Sequence, residues 1–378
     1  MTILRFSFFI LTGLVILYGG HYFLYRSFVG LFGIARPPLR NALFVLLFLL
    51  STGFIIASAV AHTSHSLAAR LFYIGTASWL ALAINLILAV CLLRLLIGLA
   101  GVAKLDLQIP CLSLAVVILA LIFSAYGFWN ARFLQIKDMD VTIRNLPSSW
   151  KGKTIVQLSD VHLGHIYGRG FLQRLVSQVN ALHPELILIT GDLFDGMDGD
   201  LDALIAPLKG LRTARGVFFI TGNHETYLGL DRALAVVRQT HIRILDNEAV
   251  NLEGLQIVGL SYPVRRTSGG AMGKLANATA LITGLADFDK TKPSILMYHA
   301  PVNLDQARAA GINLQLSGHT HKGQIWPFGY FTRLIYGKYH YGLHAIGNFQ
   351  IYTTNGVGSW GPPMRTSNTP EIPVFTLR

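Results

Sequence analysis

The sequence predicts an α/β catalytic domain of two helix-covered sheets, preceded by a four-helix transmembrane region. Three observations carry that prediction. Four apolar stretches, each about twenty residues or more, fill the first third of the chain. Beyond them, short apolar runs alternate with helix-period patterns in β-α-β order. Five of those runs stop on residues of metal-ligand type: Asp160 and His162 after KTIVQLS, Asp192 after ELILITG, Asn223 after VFFITG, His299 after PSILMY, and His319 with His321 after NLQLSG.

Composition separates the two parts. A chain of 378 residues exceeds one typical domain, and 52% hydrophobic against 13% charged residues is too apolar for a purely soluble protein. The excess sits in the first third, and the remainder is long enough for a full core of its own. A net charge of +12 suits anionic partners such as phosphates, lipid headgroups or nucleic acid. Membrane helices carry flanking Lys and Arg anyway, so the charge discriminates poorly. Cys91 and Cys111 both fall in predicted membrane helices and read as small packing residues, which leaves the catalytic part without a thiol.

The membrane region covers residues 1–132, with spans expected at 6–25, 42–61, 71–93 and 107–131. Arg5, Arg26, Arg40, Arg70, Arg94, Lys104 and Arg132 bracket them as interfacial cations. The first span is too long, and too soon followed by others, for a cleaved signal peptide. His21 and Asn85 inside the spans read as helix–helix hydrogen-bonding groups. An even number of spans puts both chain ends on one side. The loops on the other side hold Arg26, Arg36, Arg40, Arg94 and Lys104, against Arg5, Arg70, Arg132 and Lys137 on the side of the ends. That slight bias leans toward an extracytoplasmic catalytic domain.

Residues 133–153 read as a linker with a first strand near Asp140–Arg144, and residues 154–378 as the catalytic domain. Helical patterns follow the ligand strands at Phe171–Leu182, Leu201–Leu211 and Asp231–Gln239. Ile242–Asn247, Ala249–Leu252 and Leu255–Leu260 are β-rich, Arg265–Gly273 is irregular, and a helix is expected near Ala276–Ala286. The glycine-rich end, Ala345–Arg378, is β-like again.

The ligand set is mixed: carboxylate, amide and imidazole, with no thiolate. Such donors suit Mn, Fe, Zn or Co. Seven ligands exceed one ordinary first shell, so two ions are expected, with Asp192 as the bridge because a carboxylate offers two oxygens. A two-metal site acidifies water and clamps phosphate oxygens for in-line attack. Lone histidines such as His165, His183 and His241 read as surface or packing residues, and His340 and His344 stay ambiguous.

D-x-H, G-D-x-x-D, G-N-H-E, a single His after a strand, and G-H-x-H, in this order over Thr154–Arg378, resemble the calcineurin-like metallophosphoesterases. GHTH followed by GQI and a terminal PEIPVFTL strand is similar to their membrane-associated bacterial branch, some of whose members cleave lipid-linked or nucleotide-lipid substrates. The resemblance implies a two-sheet β-sandwich flanked by helices, in a protein of the bacterial cytoplasmic membrane. It implies one metal on Asp160, His162, Asp192 and His321, and a second on Asp192, Asn223, His299 and His319. His224 would be the catalytic general acid or hydrogen-bond donor near the leaving group, with Asp195 and Glu225 orienting ligands and loops. Lys322 stands where the branch commonly has Gly. It either grips a substrate phosphate or points to solvent.

The stretch Ile325–Tyr341 mixes Trp326, Phe328, Tyr330 and other aromatics with Arg333 and Lys338. It suits a loop touching lipid headgroups, with core packing of a long loop as the rival reading. Trp326 and Arg333 are therefore candidate substrate contacts beside Lys322. The chemistry expected is hydrolysis of a phosphoester, in particular a diester or pyrophosphate, on a phosphate-containing and possible lipid substrate. A non-catalytic membrane sensor fits the intact ligand set poorly. A nuclease or phosphomonoesterase of the same fold is the other alternative, although no dedicated nucleic-acid module is evident.

Overall fold

The computed structural model describes residues 3–197, 200–263 and 273–378. The irregular piece expected at Arg265–Gly273 lies, apart from Gly273, outside the described residues. The chain forms two compact units: Met1–Trp129 with Gly361–Thr366, and Asn130–Trp360 with Ser367–Arg378.

The first unit is helical, with α1 (Ile3–Leu31), α2 (Pro37–Ala61), α3 (Leu67–Val102) and α4 (Ile109–Asn130, whose last residue falls in the second unit). Among the described residues, α2, α3 and α4 are each long and apolar enough to cross a membrane. The first expected span, 6–25, falls within α1, a helix of 29 residues that is not among those three. The helices run past the apolar stretches because local signals set their ends. Pro37 sits in the first turn of α2, where its missing N–H costs nothing, and the Ser66 hydroxyl caps α3 by accepting from Ala69 N at 3.2 Å. Both notable polar residues bond between helices: Trp79 Nε1 donates to His21 Nε2 at 2.9 Å, and Asn85 Nδ2 to Ser124 Oγ at 2.9 Å. Cys91 and Cys111 depart from expectation. Both are free and lie on exposed surface rather than packed inside.

Gly361–Thr366 also departs from the expected boundary, clustering with the helices. Arg365 N donates to Gly127 O at 2.9 Å, and a side chain at Gly127 would overlap Met364, so the missing Cβ is what admits this segment.

The second unit is built on two six-stranded sheets. The first runs, edge to edge, β1 (Gln135–Val141), β12 (Glu371–Leu377), β2 (Thr154–Leu158), β3 (Leu186–Ile189), β4 (Val217–Phe219) and β5 (Arg243–Ile244). The second runs β10 (Gly342–Ile346), β11 (Phe349–Thr353), β9 (Leu314–Ser317), β8 (Ser294–Met297), β7 (Leu255–Gly259) and β6 (Glu248–Leu252). β2 to β5 are mutually parallel, as are β7, β8, β9 and β11. The first strand begins at Gln135, earlier than expected, because it pairs with β12 along its whole length.

Strand residues alternate between two cores, as period-2 geometry requires. Ile155, Leu186, Leu188, Ile295, Leu314 and Leu316 meet between the sheets. Val156, Ile187 and Ile189 face the opposite way, under α5 (Arg169–Ala181), α6 (Leu201–Ile205) and α8 (Leu230–Val237). Val258, Leu296 and Ile351 face α9 (Ala278–Thr283) and α10 (Leu304–Ala309). Because both faces of each sheet are covered, the strands read as unbroken apolar runs. Two short helices complete the unit: α7 (Asn223–Leu228) and α11 (Gly329–Tyr336). The latter corrects the loop expected over Ile325–Tyr341.

Candidate metal centre

Parallel strands put their carboxyl ends at one edge, and there the chain turns from burying side chains to presenting them. β2 delivers Asp160 and His162, β3 delivers Asp192, β4 leads into Asn223 on α7, β8 ends before His299, and β9 before His319 and His321. The turns are tight enough to force five of these residues into left-handed backbone: Asp160, His162, Asp192, His319 and His321 have φ between 47° and 73°. Each such non-glycine residue costs about 1–3 kcal/mol, a strain that persists only where surrounding bonds over-determine it. Those bonds are present. Asp160 N donates to Gly191 O and His162 N to Asp192 O, both at 3.1 Å, and His319 N donates to Asp160 Oδ1 at 3.0 Å.

Glycines permit the close approach of these loops. A Cβ on Gly222 would overlap Asp192 Oδ1, and one on Gly318 would overlap Ser159 Oγ and Asp160 Oδ2.

The side chains converge in overlapping groups whose donor atoms lie within 4.8 Å of one another: Asp160, His162 and His321; His162, Asp192 and His224; and Asp192, His299 and His319. Asp192 thus joins the two sides. His162 Nε2 lies 3.0 Å from His321 Nε2, His321 Nε2 lies 3.5 Å from Asp160 Oδ1, and His299 Nε2 lies 3.0 Å from Asp192 Oδ2. Tetrahedral bonds of about 2.0–2.1 Å place donors roughly 3.3 Å apart, so these spacings fit donors arranged around shared cations. Asn223 Oδ1 adds a second sign: it is buried with no hydrogen-bond partner. The residues present therefore fit divalent metal.

Their orientation is fixed from behind. Thr190 O accepts from His299 Nδ1 at 2.8 Å, leaving Nε2 toward Asp192, and Asp195 O accepts from His224 Nδ1 at 2.9 Å. Asp195 Oδ1 also stands 3.4 Å from His162 Nδ1. Glu225 accepts three backbone N–H bonds, from Gly222, Asp192 and Phe194 at 2.6, 3.0 and 3.1 Å, and so ties the β3 and β4 loops together.

Electrostatics follow the same layout. Burial opposes charge on His299, but the Asp192 carboxylate overrides it and raises the imidazole to about 9. Burial, then the charge of His299, lowers His319 to about 3. Burial also lowers His224 and raises Asp160. Glu225 is pushed up to about 7 by burial and the Asp192 charge, with its backbone donors pulling the other way.

The three candidate substrate contacts stand differently. Lys322 is half-buried, its ammonium 4.1 Å over the Tyr341 ring, and burial lowers its pKa. Tyr341 Oη in turn donates to Glu371 at 2.8 Å and accepts from Lys137 at 2.7 Å. Lys322 thus does not simply point to solvent. Trp326 is partly exposed ahead of α11, and Arg333 lies in the last turn of that helix. His340 and His344 are tied locally, His340 to Thr332 Oγ1 at 3.1 Å and His344 to Tyr341 O at 2.9 Å.

Sequence reasoning missed the aromatic ring around the cluster. Tyr227 and Trp360 lie 5.1 and 6.2 Å from His224, while Tyr262 and Tyr336 lie 6.1 and 6.0 Å from His319, centroid to centroid. Tyr227 alone was open to detection, since it follows His224 by three positions, one helical turn. Gln157, buried on β2, was also missed: its Nε2 donates to Thr190 Oγ1 and, across to the other sheet, to Ser317 O. A basic cavity of about 460 Å³, lined by Arg144, Lys290, Lys292 and Arg308 among others, lies where β8, β9 and β11 begin and contains no His or carboxylate.

A calcineurin-like phosphoesterase family model matches residues 153–323. An uncharacterized metallophosphoesterase of Campylobacter jejuni is 35% identical over 270 residues, 71% of this chain and 69% of that protein. Another from Helicobacter pylori is 32% identical over 246 residues, so the chain spans 64% of that relative's length and 64% of its own is matched. A transmembrane protein with metallophosphoesterase domain from Danio rerio is 31% identical over 285 residues, covering 69% of this chain and 62% of that one.

Proposed function

This chain belongs to the calcineurin-like phosphoesterase family, and from that premise we propose that it is a membrane-anchored, two-metal phosphoester hydrolase acting on a diester or pyrophosphate bond. The observation that supports this most is the convergence of Asp160, His162, His299, His319 and His321 on the two sides of Asp192. Asp160, His162, Asp192 and His321 would hold one ion, and Asp192, Asn223, His299 and His319 the other, as Mn, Fe, Zn or Co. Bound divalent ions supply Lewis-acid charge for phosphoryl oxygens and acidify water.

The chain's own residues do the rest. Asp192 keeps its charge because the neighbouring His299 and His224 outweigh the burial that opposes it. His224 has Nδ1 committed to Asp195 O, so Nε2 is the atom left for the departing oxygen; it gives a proton there from the imidazolium form, which burial disfavours and the Asp192 charge supports. The apolar helices α2, α3 and α4 anchor the protein in a bacterial cytoplasmic membrane, and the cation bias of the loops leans toward a catalytic unit outside the cytoplasm.

The test uses full-length protein, stripped of metal and reloaded with Mn²⁺, against bis-p-nitrophenyl phosphate, p-nitrophenyl phosphate and single-stranded DNA. Turnover of the diester above the monoester and the DNA is expected. Preference for DNA establishes the nuclease alternative, and no turnover of any substrate removes the enzymatic reading. A reporter fused to the C-terminus fixes the membrane side.

A further inference from the structure

Among the described residues, helix α11 exposes an apolar side. Its hydrophobic side chains and those of the preceding turn, Trp326, Phe328, Tyr330, Phe331, Leu334 and Ile335, are all exposed, with Leu334 82% accessible. No residue of the helix is buried. A contiguous apolar patch of this kind, on an otherwise well-packed unit, marks a surface that is covered in use.

Three features identify the cover as a lipid bilayer. The same chain carries helices fit to cross one, and only residues 131–134 connect α4 to β1, so a bilayer spanned by α4 stays within reach of the catalytic unit. Charge agrees: from Gln306 to Pro370 the chain has no Asp or Glu, while Lys322, Arg333 and Lys338 flank the patch. Exposed aromatic and aliphatic groups beside Arg333 and Lys338, with no carboxylate in that stretch of the sequence, match an anionic leaflet. The patch also continues into the metal centre, because α11 ends on Tyr336, whose ring stands 6.0 Å from His319.

We infer that α11 and its preceding turn embed in the leaflet and pass a phosphate-bearing lipid along Tyr336 to the histidines. Resting on the hydrolase reading above, this names the substrate class: an amphiphile whose tails stay among the apolar side chains while its phosphate meets the metals. Soluble phosphoesters reach the same centre without using the patch.

The experiment places full-length protein in vesicles of phosphatidylcholine and phosphatidylglycerol. Cys91 and Cys111 are replaced by Ser, and single cysteines are introduced by Leu334→Cys or, as a control, Lys290→Cys, each labelled with an environment-sensitive fluorophore. Doxyl-labelled lipids should quench position 334 and spare position 290. Equal quenching, or none at 334, overturns the proposal whether or not the enzyme is active. In parallel, Phe331→Ser/Leu334→Ser should raise KM for a long-chain alkyl pyrophosphate in the vesicle by roughly tenfold more than KM for bis-p-nitrophenyl phosphate. An equal effect on both substrates overturns the lipid route and leaves the hydrolase reading standing. Absence of wild-type turnover on both overturns the hydrolase reading, while quenching still decides the docking.

Discussion

His162 Nε2 and His321 Nε2 face each other at 3.0 Å, one carried by a loop of the first sheet and the other by a loop of the second. Two neutral imidazoles do not present lone pairs to each other at that distance without a shared cation or proton. The spacing fits the proposed metal centre at the seam between the sheets.

Removing either side of that seam should remove metal. Wild-type protein should bind two ions per chain by elemental analysis, and His321→Ala about one. Turnover should fall on the order of 10³-fold, equivalent to several kcal/mol of lost charge stabilisation. Asp192→Ala should lose both ions, and retained turnover there would contradict its bridging position.

His224→Ala should keep its metal, because the ring stands by the cluster and is oriented by Asp195 O. Its kcat should fall roughly 10²-fold on alkyl esters and much less on p-nitrophenyl esters, whose leaving group needs no proton. A uniform loss would mean that the ring has another task.

Metal uptake should release protons. In the metal-free protein His299 is raised to about 9, so it is protonated at pH 7.5, while His319, lowered to about 3, is neutral. Metal needs the neutral imidazole, so apparent affinity should climb up to tenfold per pH unit and level off near pH 9. Calorimetry in HEPES and in Tris, whose ionisation heats differ, counts the protons; a pH-independent affinity would refute the assignment.

Glu225→Ala should destabilise the fold. It leaves the amides of Asp192, Phe194 and Gly222 without their acceptor, at about 1–3 kcal/mol each. A fall of about 3 kcal/mol or more in chemical unfolding is expected, with Glu225→Gln intermediate because one oxygen can still accept. A loss of activity at unchanged stability would point instead to a direct chemical role.

The sequence by itself determined the strands that end on ligands and the identity of the seven ligand candidates. Buried strands are short apolar runs, and a polar residue just past such a run has to sit at the strand's end. It also determined the apolar helices, since twenty consecutive apolar residues admit few other solutions in water or lipid. Tertiary structure alone decided which ligands share a cluster, because His162 and His321 lie far apart in the chain and meet only when two sheets pack face to face. It alone decided that Lys322 turns onto Tyr341, and that Trp360 and Tyr262 edge the site. These are contacts between loops, and loop conformation depends on what each loop packs against, which no local residue pattern encodes.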